Sequence, residues 1–502
     1  MSVHRLSGTD SLFLLGETPT WHQHVAGLTV LDPSERLGFG FETIFELVAA
    51  RLPLIPKLTW KLKSVPLAID RPIWVDDPAF DLHHHVHRLA VPAPGGPRET
   101  AAAIEPILSR QLDRDRPLWE LWYLDGLVNG RVAMVMKMHH SMMDGGAGSV
   151  LATLLLDTEP DPPSPVTPSP SEPDAGPDTL RLLTLAATSF AATPLRSARY
   201  ATRAARRGLE LARHLAAGRP RPDLGAMLRA PKTAFNRSIG PRRAVAFSSV
   251  GLADMKEVAA HFDVKFNDVA LALCAGALRR YLESTDELPA RPLTAGVPVS
   301  LRAPGDASLD NQLSYLVVPL ATDVADSGDR LRAIASQSSA AKSLHRTLRE
   351  HPVGSIADTA PPFVLGAALR LAYESHVLAY VPGMMNTIVS NVPGPPMELY
   401  LGGARLTGIF SASVLLDQIG LNITLFTFGE RVDFGLHVDP DLIGDPWMIA
   451  EGMWSELTAL RRAAGLAEPT PIEDAFGLVS RPHPRPGRVT RPTGPTSTPL
   501  PA

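Results

Sequence analysis

Short runs of alternating apolar and polar positions, separated by turns and by stretches of helical spacing, occupy two parts of the chain: residues 1–158, and Ala244 to about Ala464. The clearest block begins at Trp119. Trp119–Leu127 reads as a strand, Asn129-Gly130 is a two-residue hairpin signal, and Val132–His140 reads as the returning strand. Alternation places His140, Met138, Met136 and Met134 on one face and His139, Lys137, Val135 and Ala133 on the other. The adjacent histidines therefore have different surroundings and different work. Beyond His140 the chain turns through Asp144, Gly145, Gly146 and Gly148 into an apolar helix, Ser149–Leu156, with Asp144 placed to cap it.

Between the two patterned parts the character changes twice. Glu159–Pro177 holds too little apolar surface to pack and reads as a linker. An Ala/Leu/Arg helix follows to about Ala217, with Arg196, Arg199, Arg203, Arg206 and Arg213 on one side. The expected organisation is an N-terminal half (1–158), a Pro-rich linker (159–178), a basic helical connector (179–243), a C-terminal half (244–465) and a Pro-rich disordered tail (466–502). No repeat of solenoid period is present in the sequence.

Composition adds two points. The chain has 502 residues, 45% of them hydrophobic, which excludes global disorder and leaves ample material for a core. Of its 48 prolines, 15 fall in the linker and the last 21 residues, so the excess marks connectors. The single cysteine, Cys274, excludes an intramolecular disulfide scaffold. The net charge of −4 conceals a segment, Arg181–Arg243, with a balance of +12, so the remainder carries −16. That segment suits packing between the halves or contact with an anionic lipid surface; nucleic acid is disfavoured because no binding motif accompanies the charge. No apolar run reaches the ~18 residues of a membrane span, and the N-terminus lacks a signal-peptide layout. The expectation is a cytoplasmic protein that attaches peripherally, if at all, to the inner membrane face or lipid droplets.

An imidazole at a strand end, ahead of a Gly-rich turn and with a carboxylate four residues later, suits general-base catalysis on a hydroxyl or thiol, since imidazole titrates near neutrality. A buried, hydrogen-bonded His pair beside a helix cap is the bland alternative. A serine-hydrolase reading lacks its G-x-S-x-G elbow. The cluster His83, His84, His85 and His87 would place three histidines on one strand face, but no second ligand group accompanies it, and no functional metal is expected. Asn267 and Asp268 read either as polar contacts near a reacting centre or as a helix N-cap. Ser390 and Asn391 read either as donors to an oxyanion or CoA, or as a Pro/Gly turn. Trp119 reads as core or as a substrate contact.

His139-His140-Ser141-Met142-Met143-Asp144-Gly145 matches the HHxxxDG signature of CoA-dependent acyltransferases, a superfamily that includes chloramphenicol acetyltransferases and peptide-synthetase condensation domains. Further blocks resemble one branch, the bacterial wax ester synthase/diacylglycerol acyltransferases. These are the opening LSGTDSLFLLGETPTWHQHVAGLTVLDP, Pro117-Leu118-Trp119, Asn267-Asp268, PVSLR at Pro298–Arg302, Asn311-Gln312, SNVPGP at Ser390–Pro395 and GLNITLFTFGERVDFGLHVDPDLIGDP. The resemblance spans roughly residues 5–465. Asp310 and Phe426-Thr427-Phe428 depart from the family pattern, which bears on substrate preference more than on activity.

The resemblance implies an α/β protein of two chloramphenicol-acetyltransferase-like domains with a tunnel at their interface. It implies transfer of a long-chain acyl group from acyl-CoA to diacylglycerol or a fatty alcohol, with acyl-CoA as co-substrate and no cofactor. His140 would be the general base and His139 would orient the site. Asp144 would hold the turn through an ion pair, with Arg302 as a candidate partner, and Gly145 would let substrate approach. Asn267, Asp268, Ser390, Asn391 and Trp119 would contact substrate. Acyl transfer to a complex diol or polyketide lipid, and a silent lipid-binding protein, are the competing functions.

Overall fold

The computed structural model describes residues 4–142, 155–163, 176–216, 230–300, 313–348, 359–375 and 383–478. Asp144, Gly145, Arg302, Asn311 and Gln312 lie outside the described residues.

Two six-stranded sheets carry the fold. The first has the order β12-β13-β2-β7-β6-β5. Its strands are β2 (His24–Asp32), β5 (Val86–Ala90), β6 (Trp119–Asp125), β7 (Val132–His139), β12 (Tyr400–Leu401) and β13 (Ala404–Ala412). The second has the order β10-β9-β11-β14-β15-β8. It contains β8 (Ala244–Gly251), β9 (Thr294–Ser300), β10 (Leu313–Pro319), β11 (Thr387–Pro393), β14 (Leu421–Phe428) and β15 (Arg431–Val438). A small sheet of β1 (His4–Arg5), β4 (Ile73–Asp76) and β3 (Trp60–Lys63) flanks the first.

The hairpin between β6 and β7 forms as its sequence requires. Asn129 and Gly130 both take positive φ, 59° and 67°, the region that Asn and Gly tolerate best. β7 lies between β2 and β6, so its alternation is imposed from both sides. Met138 faces Val25 and Trp119 across the ladders, Met136 faces Gly27 and Leu121, and Met134 faces Thr29 and Tyr123.

The halves are less separate than the sequence pattern suggests. β12 and β13 come from the C-terminal half, yet they complete the first sheet, with Ser411 opposite Gly27 and Ile409 opposite Thr29. The two sheets touch where β13 crosses β15. Gly435 has no room for a side chain there, because a Cβ would fall 2.2 Å from the Ser411 carbonyl oxygen.

The tail boundary also needs correction. Residues 466–478 are not part of a disordered tail: Ala475 and Phe476 are buried against Val30, Val245 and Phe410, and the Ala475 carbonyl accepts the Thr407 hydroxyl at 2.8 Å. This segment holds the apolar residues that the Pro-rich sequence beyond it lacks.

The helices are α1 (Gly8–Gly16), α2 (Phe41–Arg51), α3 (Pro97–Leu108), α4 (Thr179–Ala216), α5 (Leu252–His261), α6 (Phe266–Ser284), α7 (Ser327–Leu348), α8 (Pro362–Glu374) and α9 (Trp447–Ala463). α6 is apolar on nearly every side, from Val269 through Leu282, because the second sheet, α7 and α9 enclose it. Cys274 sits in this core, where burial pushes its thiol up, away from the thiolate form. Glu456 of α9 is fully buried and accepts from Arg330 of α7 at 2.5 Å and Arg280 of α6 at 3.3 Å. The partners make that buried charge tolerable.

Candidate active site

An apolar cavity of about 320 Å³ opens between the two sheets. Its floor is the methionine face of β7: Met134, Met136, Met138 and, at the strand end, His140. Leu47 and Val48 of α2 contribute to its wall. From Met134 to His140 the chain advances roughly 20 Å at the rise of a β-strand.

The His140 ring is half-buried and stacks on Phe13 of α1, with centroids 4.1 Å apart and planes 18° apart. Its backbone N–H donates to the Gln23 carbonyl at 2.8 Å, which pins the end of β7 to the segment entering β2. Main chain and ring are thus both held, and the imidazole lines the cavity wall.

His139 points the other way, as alternation predicts. It is 1% exposed, and its Nδ1 accepts the Ser141 backbone N–H at 3.1 Å. Its proton therefore resides on Nε2, which lies 3.7 Å from Glu17 Oε2. The same carboxylate oxygen accepts Arg114 Nε at 3.0 Å and Nη2 at 2.6 Å. Burial alone would raise the Glu17 carboxyl, but His139 and Arg114 outweigh it and hold the pKa at about 2. Lys137, on the same strand face, donates to the Ile107 and Arg110 carbonyls at 2.9 and 2.6 Å, tying β7 to the end of α3.

Opposite His140 the cavity carries a polar collar. Pairing of Ser390 with Thr424 brings β11 and β14 into register, and Ser390, Asn422 and Thr424 all line the cavity. Asn422 donates to the Val414 carbonyl at 3.0 Å, Thr424 donates to Asn422 at 3.1 Å, and Ser413 lies 3.0 Å from Thr424. Burial, reinforced by the positive charge of Arg243, lowers His437 to about 3. As a neutral ring it donates from Nδ1 to the Ser413 carbonyl at 2.6 Å. These dipoles are fixed before any substrate arrives.

The structure gathers some of the sequence candidates here and not others. His140 and Ser390 line the cavity. Asn391 donates to Asn267 at 3.5 Å, which links β11 to the start of α6. Asp268 takes the capping role: its carboxylate accepts the Lys265 backbone N–H at 3.1 Å. Trp119 is buried and is not among the residues that line the cavity. It shares the cavity-side face of the sheet with Met138, but His85 stacks on it at 4.6 Å and its indole donates to the Leu58 carbonyl at 2.7 Å, sealing it in the core.

The histidines at 83–87 do not share a face, because Leu82–His84 forms a turn of 3-10 helix rather than a strand. His83 stacks toward Phe45, His85 lies between Phe80 and Trp119, and His87 packs on Trp122. Two elements of the site escaped the sequence reading. Asn422 and Thr424 carry a detectable signal, the period-2 alternation of β14. Glu17 carries none, since its partner His139 is 122 positions away.

The signature of the wax ester synthase/diacylglycerol acyltransferase catalytic domain matches residues 6–270, more than half of the chain. The chain belongs to that family. The C-terminal domain of the same enzymes matches residues 309–461. A Mycobacterium tuberculosis protein assigned as a diacylglycerol O-acyltransferase is 35% identical over 461 residues, covering 91% of this chain and 90% of the relative. A second assigned in the same way in that organism is 33% identical over 479 residues, covering 94% and 99%. The solved wax ester synthase/diacylglycerol acyltransferase from Marinobacter aquaeolei VT8 superposes with a TM-score of 0.65 at 27% identity, covering 92% of this chain and all of that one. The first condensation domain of the calcium-dependent antibiotic synthetase shares the fold, with a TM-score of 0.54 at 14% identity and coverage of 92% and 96%. The match to the solved wax ester synthase/diacylglycerol acyltransferase spans both sheets.

Proposed function

We propose that this protein transfers a long-chain acyl group from acyl-CoA to a hydroxyl of diacylglycerol or a fatty alcohol, with His140 as general base. The observation that carries this reading is an imidazole at the wall of an apolar cavity that Ser390, Asn422 and Thr424 also line. The His140 ring takes the proton of the acceptor hydroxyl as its oxygen attacks the thioester carbonyl. The tetrahedral intermediate then expels the CoA thiolate, which recovers the proton from His140, and an ester is released. Positioned base catalysis of this kind is worth ~10²–10⁴-fold. Preorganised donors near the developing oxyanion would supply a further part; Ser390 lines the cavity and is the donor assigned to it, whereas Asn391, its neighbour on the strand, faces the other way toward Asn267.

His139 does not exchange protons in this scheme. With Glu17 on Nε2 and Ser141 on Nδ1, it fixes the turn that carries His140. No acyl-enzyme is formed and no cofactor is needed beyond acyl-CoA. Asp144, Gly145 and Arg302 lie outside the described residues, and the pairing of Asp144 with Arg302 and the approach of substrate at Gly145 are proposed from the family resemblance alone.

Both acceptors are lipid-borne, so the protein would work while attached peripherally to a lipid surface. Among the described residues no helix is long and apolar enough to cross a membrane. The purified chain, given palmitoyl-CoA, should release free CoA thiol when diacylglycerol or hexadecanol is added, and the matching ester should form. Release with neither, nor with any other long-chain alcohol in a panel, would refute the proposal. Release only with diol or polyketide lipids would replace the acceptor and keep the chemistry.

A further inference from the structure

Large apolar side chains lie exposed on three elements that meet on one side of the molecule. On α4, Leu180, Phe190 and Leu195 are 75%, 49% and 56% exposed, and Leu183 is 36% exposed. The opposite side of the same helix is seated: Leu182 and Ala186 are buried against Ile73 and Val75. On α8, Phe363, Val364, Ala367, Ala368 and Leu371 follow helical spacing and all face solvent. The third element is the turn at Pro66–Ala68, which touches both helices and exposes Leu67 at 84%. Ser197 of α4 donates to the Thr359 carbonyl just ahead of α8 at 2.6 Å, so the two helices are tied together.

An exposed apolar face of this breadth marks an interaction surface. Its charge selects the occupant. α4 carries seven arginines against one acid, Glu210, and Arg199, Arg203 and Arg206 are exposed beyond Leu195 on the outward side. A symmetric contact with a second copy would set these arginines against their own counterparts. An anionic lipid surface complements them, and a helix that pairs apolar and basic positions without spanning is suited to lie in the headgroup region.

The face is also close to the chemistry. α8 packs on α1, where a Cβ at Gly366 would fall 3.0 Å from Leu15, and on the segment after α1, where Tyr373 stacks toward Trp21 at 6.4 Å. α1 in turn supplies Phe13, which stacks on His140. One helix separates the exposed face from the imidazole.

We infer that the outer faces of α4 and α8, with Leu67 between them, form the surface by which the protein docks on anionic lipid. This rests on the functional reading above, since it orients the cavity toward a lipid-borne acceptor. The apolar residues enter the lipid and the arginines bind headgroups. The test is co-flotation of the full chain with vesicles of phosphatidylcholine and phosphatidylglycerol, compared with phosphatidylcholine alone.

The parent should float with the mixed vesicles and less with the neutral ones. Leu183→Glu with Phe190→Glu, and separately Phe363→Glu with Leu371→Glu, should each lower vesicle affinity about tenfold or more, since each pair withdraws two large side chains from lipid. Thermal midpoints of the variants, measured without vesicles, should match the parent because these positions are already exposed. Flotation unchanged in both variants would overturn the inference, as would a parent dimer that the same substitutions dissociate. A chain that transfers acyl groups in detergent micelles but does not float would overturn the surface alone. A chain that floats but transfers to no alcohol would overturn the functional reading and leave the surface standing.

Discussion

Replacing Glu17 with Gln keeps the shape of the side chain and removes the charge that His139 and Arg114 share. Holding this carboxyl at about 2 instead of 4.5 corresponds to about 3 kcal/mol of native-state stability at neutral pH. The glutamine also leaves His139 Nε2 facing a weaker acceptor in a place where both side chains are at most 2% exposed. The expected loss is about 2–3 kcal/mol at pH 7. Its pH dependence has a definite sign. A carboxyl whose pKa is depressed by folding stabilises fully above its unfolded value of 4.5, and that stabilisation is lost as pH falls from there toward about 2. Urea unfolding of parent and Glu17→Gln should therefore show a gap at pH 7 that narrows markedly by pH 3. Turnover should fall as well, because the turn holding His140 loses its anchor, and the loss should appear in kcat more than in KM. Equal stabilities at pH 7, or a gap of constant size down to pH 3, would refute the argument.

Gly27 lies beside Met136 on the cavity floor, and a Cβ there would meet nothing within 4 Å. Gly27→Leu should therefore fold normally yet fill the cavity, moving the acyl-CoA preference toward shorter chains; a kcat/KM profile across chain lengths checks it, and an unchanged profile would count against this cavity as the acyl site. Gly435→Ala should do the opposite, costing about 1–3 kcal/mol or more because its Cβ would collide with the Ser411 main chain; a thermal midpoint equal to the parent's would show that the sheets do not cross there. Glu456→Gln should cost about 3–5 kcal/mol by leaving the buried Arg330 without its counter-charge, measurable by denaturant unfolding, and a loss below 1 kcal/mol would remove that pair from the account.

The parts of this architecture that sequence patterning reached were those determined by local physics. Alternation along Val132–His140 separated the two histidines correctly, since a strand buried on both faces still sends neighbouring side chains in opposite directions. The Asn129-Gly130 turn and the long basic helix were legible for the same reason: each is set by the residues within it. What patterning missed depends on distant partners. Insertion of β13 beside β2 joins residues some 380 positions apart, and nothing in Ala404–Ala412 by itself announces which sheet it will enter. Trp119 stays open between core and substrate contact in the sequence because the face it occupies can be read from alternation, whereas the covering groups Leu58 and His85 cannot. Glu17 was invisible because a buried carboxylate has no periodic signature. The outward apolar faces of α4 and α8 belong to the same class: spacing shows that a helix has an apolar side, and only the assembled fold shows which side stays uncovered.

The central claim is that His140 is the base for acyl transfer at this cavity. His140→Ala, assayed for ester formation from palmitoyl-CoA with diacylglycerol and with hexadecanol, tests it most directly. Thermal unfolding establishes that the variant is folded, and retained palmitoyl-CoA binding establishes that the cavity is intact. A fall in kcat of ~10²–10⁴-fold with acyl-CoA affinity preserved is the predicted result. Turnover within a few-fold of the parent in the folded variant would contradict it.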